Sequence, residues 1–168
     1  IDGEPVIDND GMHGTMTQRV VLDLTAGAHE IELRYFEATG AASLALEWAG
    51  PDSNGARVTI GGDSLSYDGQ EAGGDQSTGD TGGDTSEGDG TGGAVRGLNS
   101  TFFTLPAGVS RLSQIDFDAT PTATGEVERL DTIRERGSFW EGGAEDNFAM
   151  RAAGSLNVQE AGTYTLYL

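Results

Sequence analysis

The sequence contains no cysteine and no lysine. Without cysteine, disulfides, thiolate metal sites and thiol nucleophiles are excluded. All nine basic residues are arginines; 28 acidic residues oppose them, and the net charge is −19. That charge opposes nucleic acid and anionic membrane surfaces, both polyanions, so neither is expected as a partner. It suits cations such as Ca²⁺ where carboxylates converge. Acidity without lysine also fits a salt-rich environment. No run of eighteen apolar residues occurs, so a membrane-spanning helix is excluded and no membrane insertion is expected. Initiator methionine and signal peptide are both missing, as expected of a piece excised from a longer chain.

What is present is strict alternation of apolar and polar residues, the mark of half-buried strands. In His29–Glu37, Ile31, Leu33 and Tyr35 share one face and Glu30, Glu32, Arg34 and Phe36 the other. In Ser43–Trp48, Leu44, Leu46 and Trp48 share a face. The connector Ala38–Ala42 holds Gly40, suited to a tight turn, so these two strands are expected to pair as a hairpin. Val20, Leu22 and Leu24 mark a third strand, closed by the turn Thr25–Ala28. Phe148, Met150, Ala152, Leu156 and Val158 mark another, followed by the turn Gln159–Gly162 and by Tyr164, Leu166 and Leu168 on one face. Only Gly125–Arg136, with Val127, Leu130 and Ile133, approaches helical spacing; it reads as a single turn or an irregular segment. The class is all-β with short strands.

Residues 69–94 contain ten glycines, six acids and no aromatic or large aliphatic side chain. Such a stretch cannot bury enough apolar surface to offset its ordering entropy. Gly73–Asp80 and Gly82–Asp89 repeat with a nine-residue period of Gly and Asp. Ca²⁺-binding rolls share that period but need an apolar residue in each repeat, where Thr81 and Gly90 stand. The segment reads as a solvated linker with a span of roughly 28 Å as a Gly-rich coil. It separates residues 1–68, which look like the second half of a β-module starting inside a strand, from 96–168, which look like a first half stopping inside one; the linker proper is read as 69–95. Neither half, with about 70 residues and open ladders, is expected to fold alone. They are expected to complete one barrel, preferentially between successive copies in a repetitive chain, as neighbouring copies of one module.

The segment Ile1-Asp-Gly-Glu-Pro-Val-Ile-Asp-Asn-Asp-Gly-Met-His-Gly14 resembles the second half of a PA-14 module. The likeness continues through Leu24–Glu37 to Leu46-Glu-Trp-Ala-Gly-Pro51, while Asp146–Arg151, Gly154–Val158 and Ala161–Leu168 are similar to the family's first half. The resemblance implies an antiparallel β-barrel or sandwich of the PA-14 type, split across the chain by the linker. It also implies an extracellular protein, secreted or at the cell surface, with modules attached to adhesins, glycosidases or other surface proteins. Sugar-binding members hold Ca²⁺ with an Asp-Asp pair in a loop just before the strand that Ile1 begins here, and the ion takes two sugar hydroxyls. That loop would follow Leu168 and precede Ile1, outside this sequence. The second loop of the site corresponds to Glu37–Ser43, which makes Thr39, Gly40 and Ala41 candidate glycan contacts.

Among other candidates, Trp140, flanked by glycines, is the better sugar platform, whereas Trp48 belongs to an apolar strand face. Asp8 and Asp10 are candidate metal ligands; the rival reading is an Asx turn at Asp8–Gly11. An EF-hand frame fails, since Val6 and Thr17 would occupy its first and twelfth positions. His13 and His29 read as locally bonded, and Glu145–Phe148 as a loop cap. No nucleophile motif is visible, so no enzyme is expected. The chain is therefore expected to be a segment of a surface protein with carbohydrate-binding or adhesion modules. The alternatives are a structural bead in an extracellular filament and an accessory module of a glycosidase.

Overall fold

The computed structural model describes residues 1–68, 94–134 and 138–168. Twelve strands run in chain order among them. The N-terminal part supplies β1 (Arg19–Leu24), β2 (Gly27–Glu37), β3 (Ala42–Ala45), β4 (Glu47–Ala49), β5 (Val58–Thr59) and β6 (Leu65–Asp68). The C-terminal part supplies β7 (Ala94–Arg96), β8 (Leu98–Thr104), β9 (Ala123–Val127), β10 (Asp131–Arg134), β11 (Phe148–Val158) and β12 (Gly162–Tyr167). The all-β antiparallel reading is correct. The stretch that approached helical spacing is strand on both sides of a bridge at Arg129: Gly125–Val127 lie in β9 and Asp131–Arg134 in β10.

One sheet has the order β1-β12-β4-β5; a second runs β7-β6-β11-β8-β9, with β2 on the other edge of β11. The turn at Thr25–Ala26 carries the chain from the first sheet to the second, and the turn at Gln159–Ala161 carries it back. A single cluster joins their inner faces, with Leu24, Trp48, Tyr164 and Leu166 from one and Ile31, Leu33, Phe102, Met150 and Leu156 from the other. Burial follows the alternation: Ile31 and Leu33 are buried while Glu30 and Arg34 are exposed.

Two pairings differ from the sequence-based expectation. β2 and β3 do not form a hairpin: β2 pairs along its whole length with β11, and β3 pairs with β10. The turn around Gly40, which has φ +113°, redirects the chain rather than returning it along β2. The Gly40 amide is held by Asp146 Oδ1 at 2.9 Å, so the turn is fixed from the opposite part of the chain. The pairing expected between copies forms within one chain: Val20 faces Leu166, Leu33 faces Ala152, and Trp48 faces Leu166 across the other edge of β12. A tether raises the effective concentration of its own partner far above that of a separate copy.

The nonapeptide pair lies outside the described residues. At its borders, Asp68 and Ala94 are cross-strand partners, and Ala94 and Val95, placed in the linker by composition, belong to β7. The 25 residues 69–93 thus join neighbouring antiparallel strands instead of spacing two modules. Replacing them with a four-residue turn is expected to preserve the fold. It should raise stability by about 1–2 kcal/mol, since closure cost grows as (3/2)RT times the logarithm of loop length. A urea melt showing lost cooperativity would contradict this.

A cavity beside the second strand

The N-terminal loop, β2 and β3 with β4 enclose a cavity of about 780 Å³. Its floor is apolar, formed by the inward residues Ile31, Leu33, Leu44, Leu46 and Leu166; both chain ends, Ile1 and Leu168, border it. Asp8, Asp10, Thr39 and Ala41 all line this one cavity, so two loops read separately in the sequence lie together. Gly40 does not line it; its amide is committed to Asp146, which performs the loop-capping role read for Glu145–Phe148.

Trp140 lies elsewhere. It is half-buried and stacked on Phe102 with centroids 4.6 Å apart, with Phe148 edge-on at 5.5 Å. A Cβ added at Gly143 would come within 2.2 Å of its ring, so that side is closed as well. The indole is thus committed to packing rather than presented as a platform. Trp48 is buried against Tyr164, as its strand face required.

The Asx turn is present: the Asp10 N–H donates to Asp8 Oδ1 at 3.0 Å. Asp10 Oδ1 in turn accepts the Leu112 N–H at 2.9 Å, tying the loop to the C-terminal part. A Ca²⁺ ion requires six to eight oxygens. Each of these carboxylates already has one oxygen engaged by backbone, and among the described residues no three of His, Asp and Glu gather around one point. The residues present do not fit the ion.

His13 is bonded locally, as read from the sequence, whereas His29 adds to its local bond one to Asp2, 27 residues away. The His13 ring nitrogens meet the carbonyls of Asn9 and Gly14 at 2.9 and 2.8 Å, and these acceptors raise its pKa. His29 Nε2 meets the Thr25 carbonyl at 2.9 Å and Nδ1 meets Asp2 Oδ2 at 2.7 Å. The Asp2 carboxylate, then the Thr25 carbonyl, raise the His29 pKa, and the same bond lowers that of Asp2. A raised histidine contributes stability that is complete below its unfolded pKa, about 6.5, and is lost as pH climbs through the folded value. The lowered Asp2 contributes above the ordinary carboxylate range and loses that contribution as pH falls through its folded value. The melting temperature of the wild type relative to His29→Gln is therefore expected to be highest near pH 5–6, by about those reference values. It should narrow by pH 8; a difference that widens with pH would contradict the pairing.

Sequence reasoning missed Asp52. Its carboxylate accepts the N–H groups of Gln159 and Glu160, both at 2.8 Å, and so clamps the turn between β11 and β12. Burial works to raise its pKa, but the bonds from Gln159, Tyr164 and Glu160 prevail and lower it. Beneath it, burial, then the bond to Asp52, pushes the Tyr164 phenol up to about 12. Nothing in the spacing of residues connects position 52 to 159; only the turn-forming neighbours Pro51 and Gly162 signal that loops lie there.

The architecture is thus that of an antiparallel β-module of two larger sheets and the β3–β10 pair, with a side cavity bordered by Ile1 and Leu168. The family model for the PA14 domain matches residues 1–59, and the resemblance to that family holds there. PA14 domains occur in carbohydrate-binding and adhesion proteins. No curated protein and no solved structure matches the chain.

Proposed function

We propose that the chain is a non-enzymatic carbohydrate-binding module of an extracellular adhesion protein, secreted or held at the cell surface. The observation that carries this reading is the PA14 match over residues 1–59, the part of the chain that supplies most of the cavity wall. Within the cavity, Thr39 and Ala41 offer a hydroxyl and backbone carbonyls to a sugar, above an apolar floor suited to the sugar's C–H faces. Ca²⁺, which Asp8 and Asp10 do not fit, would come with an Asp-Asp loop joining Leu168 to Ile1, and both of those residues border the cavity.

The test is a glycan array run in Ca²⁺ and in chelator. It would compare this chain with a permuted one, opened within 69–93 and closed from Leu168 to Ile1 by a loop bearing adjacent aspartates. The permuted chain is expected to retain glycans in Ca²⁺ and release them in chelator, while the original retains few. Equal retention by the original chain in chelator would overturn the placement. Commitment of the Gly40 amide and of the Asp8 and Asp10 carboxylates to internal bonds favours the alternative of a purely structural bead. Absence of binding by both chains is the result that reading expects.

A further inference from the structure

Among the described residues, β2 is ladder-paired along one edge, with β11. On its outer side Glu30 turns its backbone away from β11: its carbonyl accepts the Asp2 N–H at 2.9 Å and its N–H donates to Asp2 Oδ1 at 2.9 Å. Backbone groups alternate in direction along an antiparallel strand. Ile31, Leu33 and Tyr35 therefore bond to β11, and the N–H and C=O groups of Glu32, Arg34 and Phe36 face outward. Among the described residues none of those outward groups has a backbone partner beyond the β11 ladder. An open edge of this kind is a template for an added strand.

The edge borders the cavity, so a strand added there could seat every second side chain on Ile31, Leu33, Leu46 and Leu166. At the mouth, Met12 and Met16 are 65% and 47% exposed, and methionine adapts its shape to an apolar guest. The rim is acidic: seven carboxylates and two arginines line the cavity. Both arginines are already engaged, Arg34 with Glu32 at 2.6 Å and Arg57 with Glu47. Glu4, Asp8, Asp10, Glu30 and Glu37 form no salt bridge among the described residues.

We infer that this edge takes an extended cationic segment of a partner protein. The segment adds as a strand beside β2, places alternate apolar side chains in the cavity, and sets arginines or lysines against the acidic rim. A second copy of this chain is a poor occupant, because its net charge of −19 repels the same rim. The inference uses neither sugar nor Ca²⁺ and is independent of the glycan reading.

The test titrates the ¹⁵N-labelled chain with an end-blocked peptide of about nine residues, the length of a long strand, alternating valine with arginine and threonine. Saturable shifts are expected, with amide exchange slowed at least roughly tenfold at Glu32, Arg34 and Phe36. Ile31, Leu33 and Tyr35, already bonded to β11, should change little in exchange. A peptide with glutamate in place of arginine should bind roughly tenfold more weakly or worse, and N-methylation of alternate peptide amides should remove the protection while leaving the charge. No saturable shift at the three outward amides, equal binding of the anionic peptide, or shifts spread over the acidic surface without amide protection would each overturn the inference.

Discussion

Replacing Tyr164 with alanine is expected to lower the unfolding free energy by about 3–5 kcal/mol, the cost typical of truncating a buried aromatic. The ring is fully buried in β12, the strand that lies between β1 and β4. It packs against Trp48 at 5.1 Å, and its hydroxyl donates to the Glu160 carbonyl at 2.7 Å. Gly50 is bare because of this ring: a Cβ there would lie 2.2 Å from it, so the β4 end of the sheet is shaped around the tyrosine. Truncation leaves a void that a glycine cannot fill and removes the hydroxyl that supports the turn clamped by Asp52. A domain of this size has only about 5–15 kcal/mol in all. The urea midpoint should therefore fall steeply with the slope retained. Tyr164→Phe, which keeps the ring, should lose only the hydrogen bond, about 1 kcal/mol.

Gly154→Val should also destabilise, by about 1–3 kcal/mol, although valine is the better strand former. Gly154 sits in β11 just past Ala153, where β8 gives way to β6 as its neighbour. A Cβ there would come within 2.5 Å of the Ser66 carbonyl oxygen and 2.9 Å of Leu98 Cδ2. The carbonyl belongs to backbone already paired in β6 and cannot yield as a flexible side chain would. Propensity and packing thus predict opposite signs, and packing has the larger magnitude. Stabilisation by valine would show that β6 does not cross β11 at this point.

These two positions illustrate what the sequence discloses. Local alternation located β1, β2, β11 and β12 and the inward faces bearing Ile31, Leu33, Tyr164 and Leu166, because a strand's periodicity is a property of neighbouring residues. Partner choice is not. The Gly40 turn looked like a hairpin turn, yet it is held by Asp146, more than a hundred residues away. The amphipathic spacing of Val127, Leu130 and Ile133 suited a helix until β8 and β3 were available as partners for β9 and β10. At the candidate site, the Asx turn at Asp8 was legible because its bond spans two residues. Convergence of Asp8 with Thr39 was not legible, because it depends on how the N-terminal loop folds back over β2. The roles of Asp2 and Asp52, and the packing of Trp140 on Phe102, depend on tertiary contacts that no spacing encodes.

The central claim is that the two parts of the chain form one module together and none apart. Of the nine strand pairings among the described residues, only β4 with β5, β8 with β9 and β8 with β11 lie within one part. The other six cross between them. The most direct measurement expresses residues 1–68 and 94–168 as separate polypeptides and follows circular dichroism and amide dispersion alone and at equal concentrations. Each fragment alone should lack cooperative unfolding and dispersed amide signals, and mixing should restore both in a one-to-one complex with the spectrum of the intact chain. A fragment that unfolds cooperatively by itself, or a mixture that remains the sum of its parts, would contradict the account.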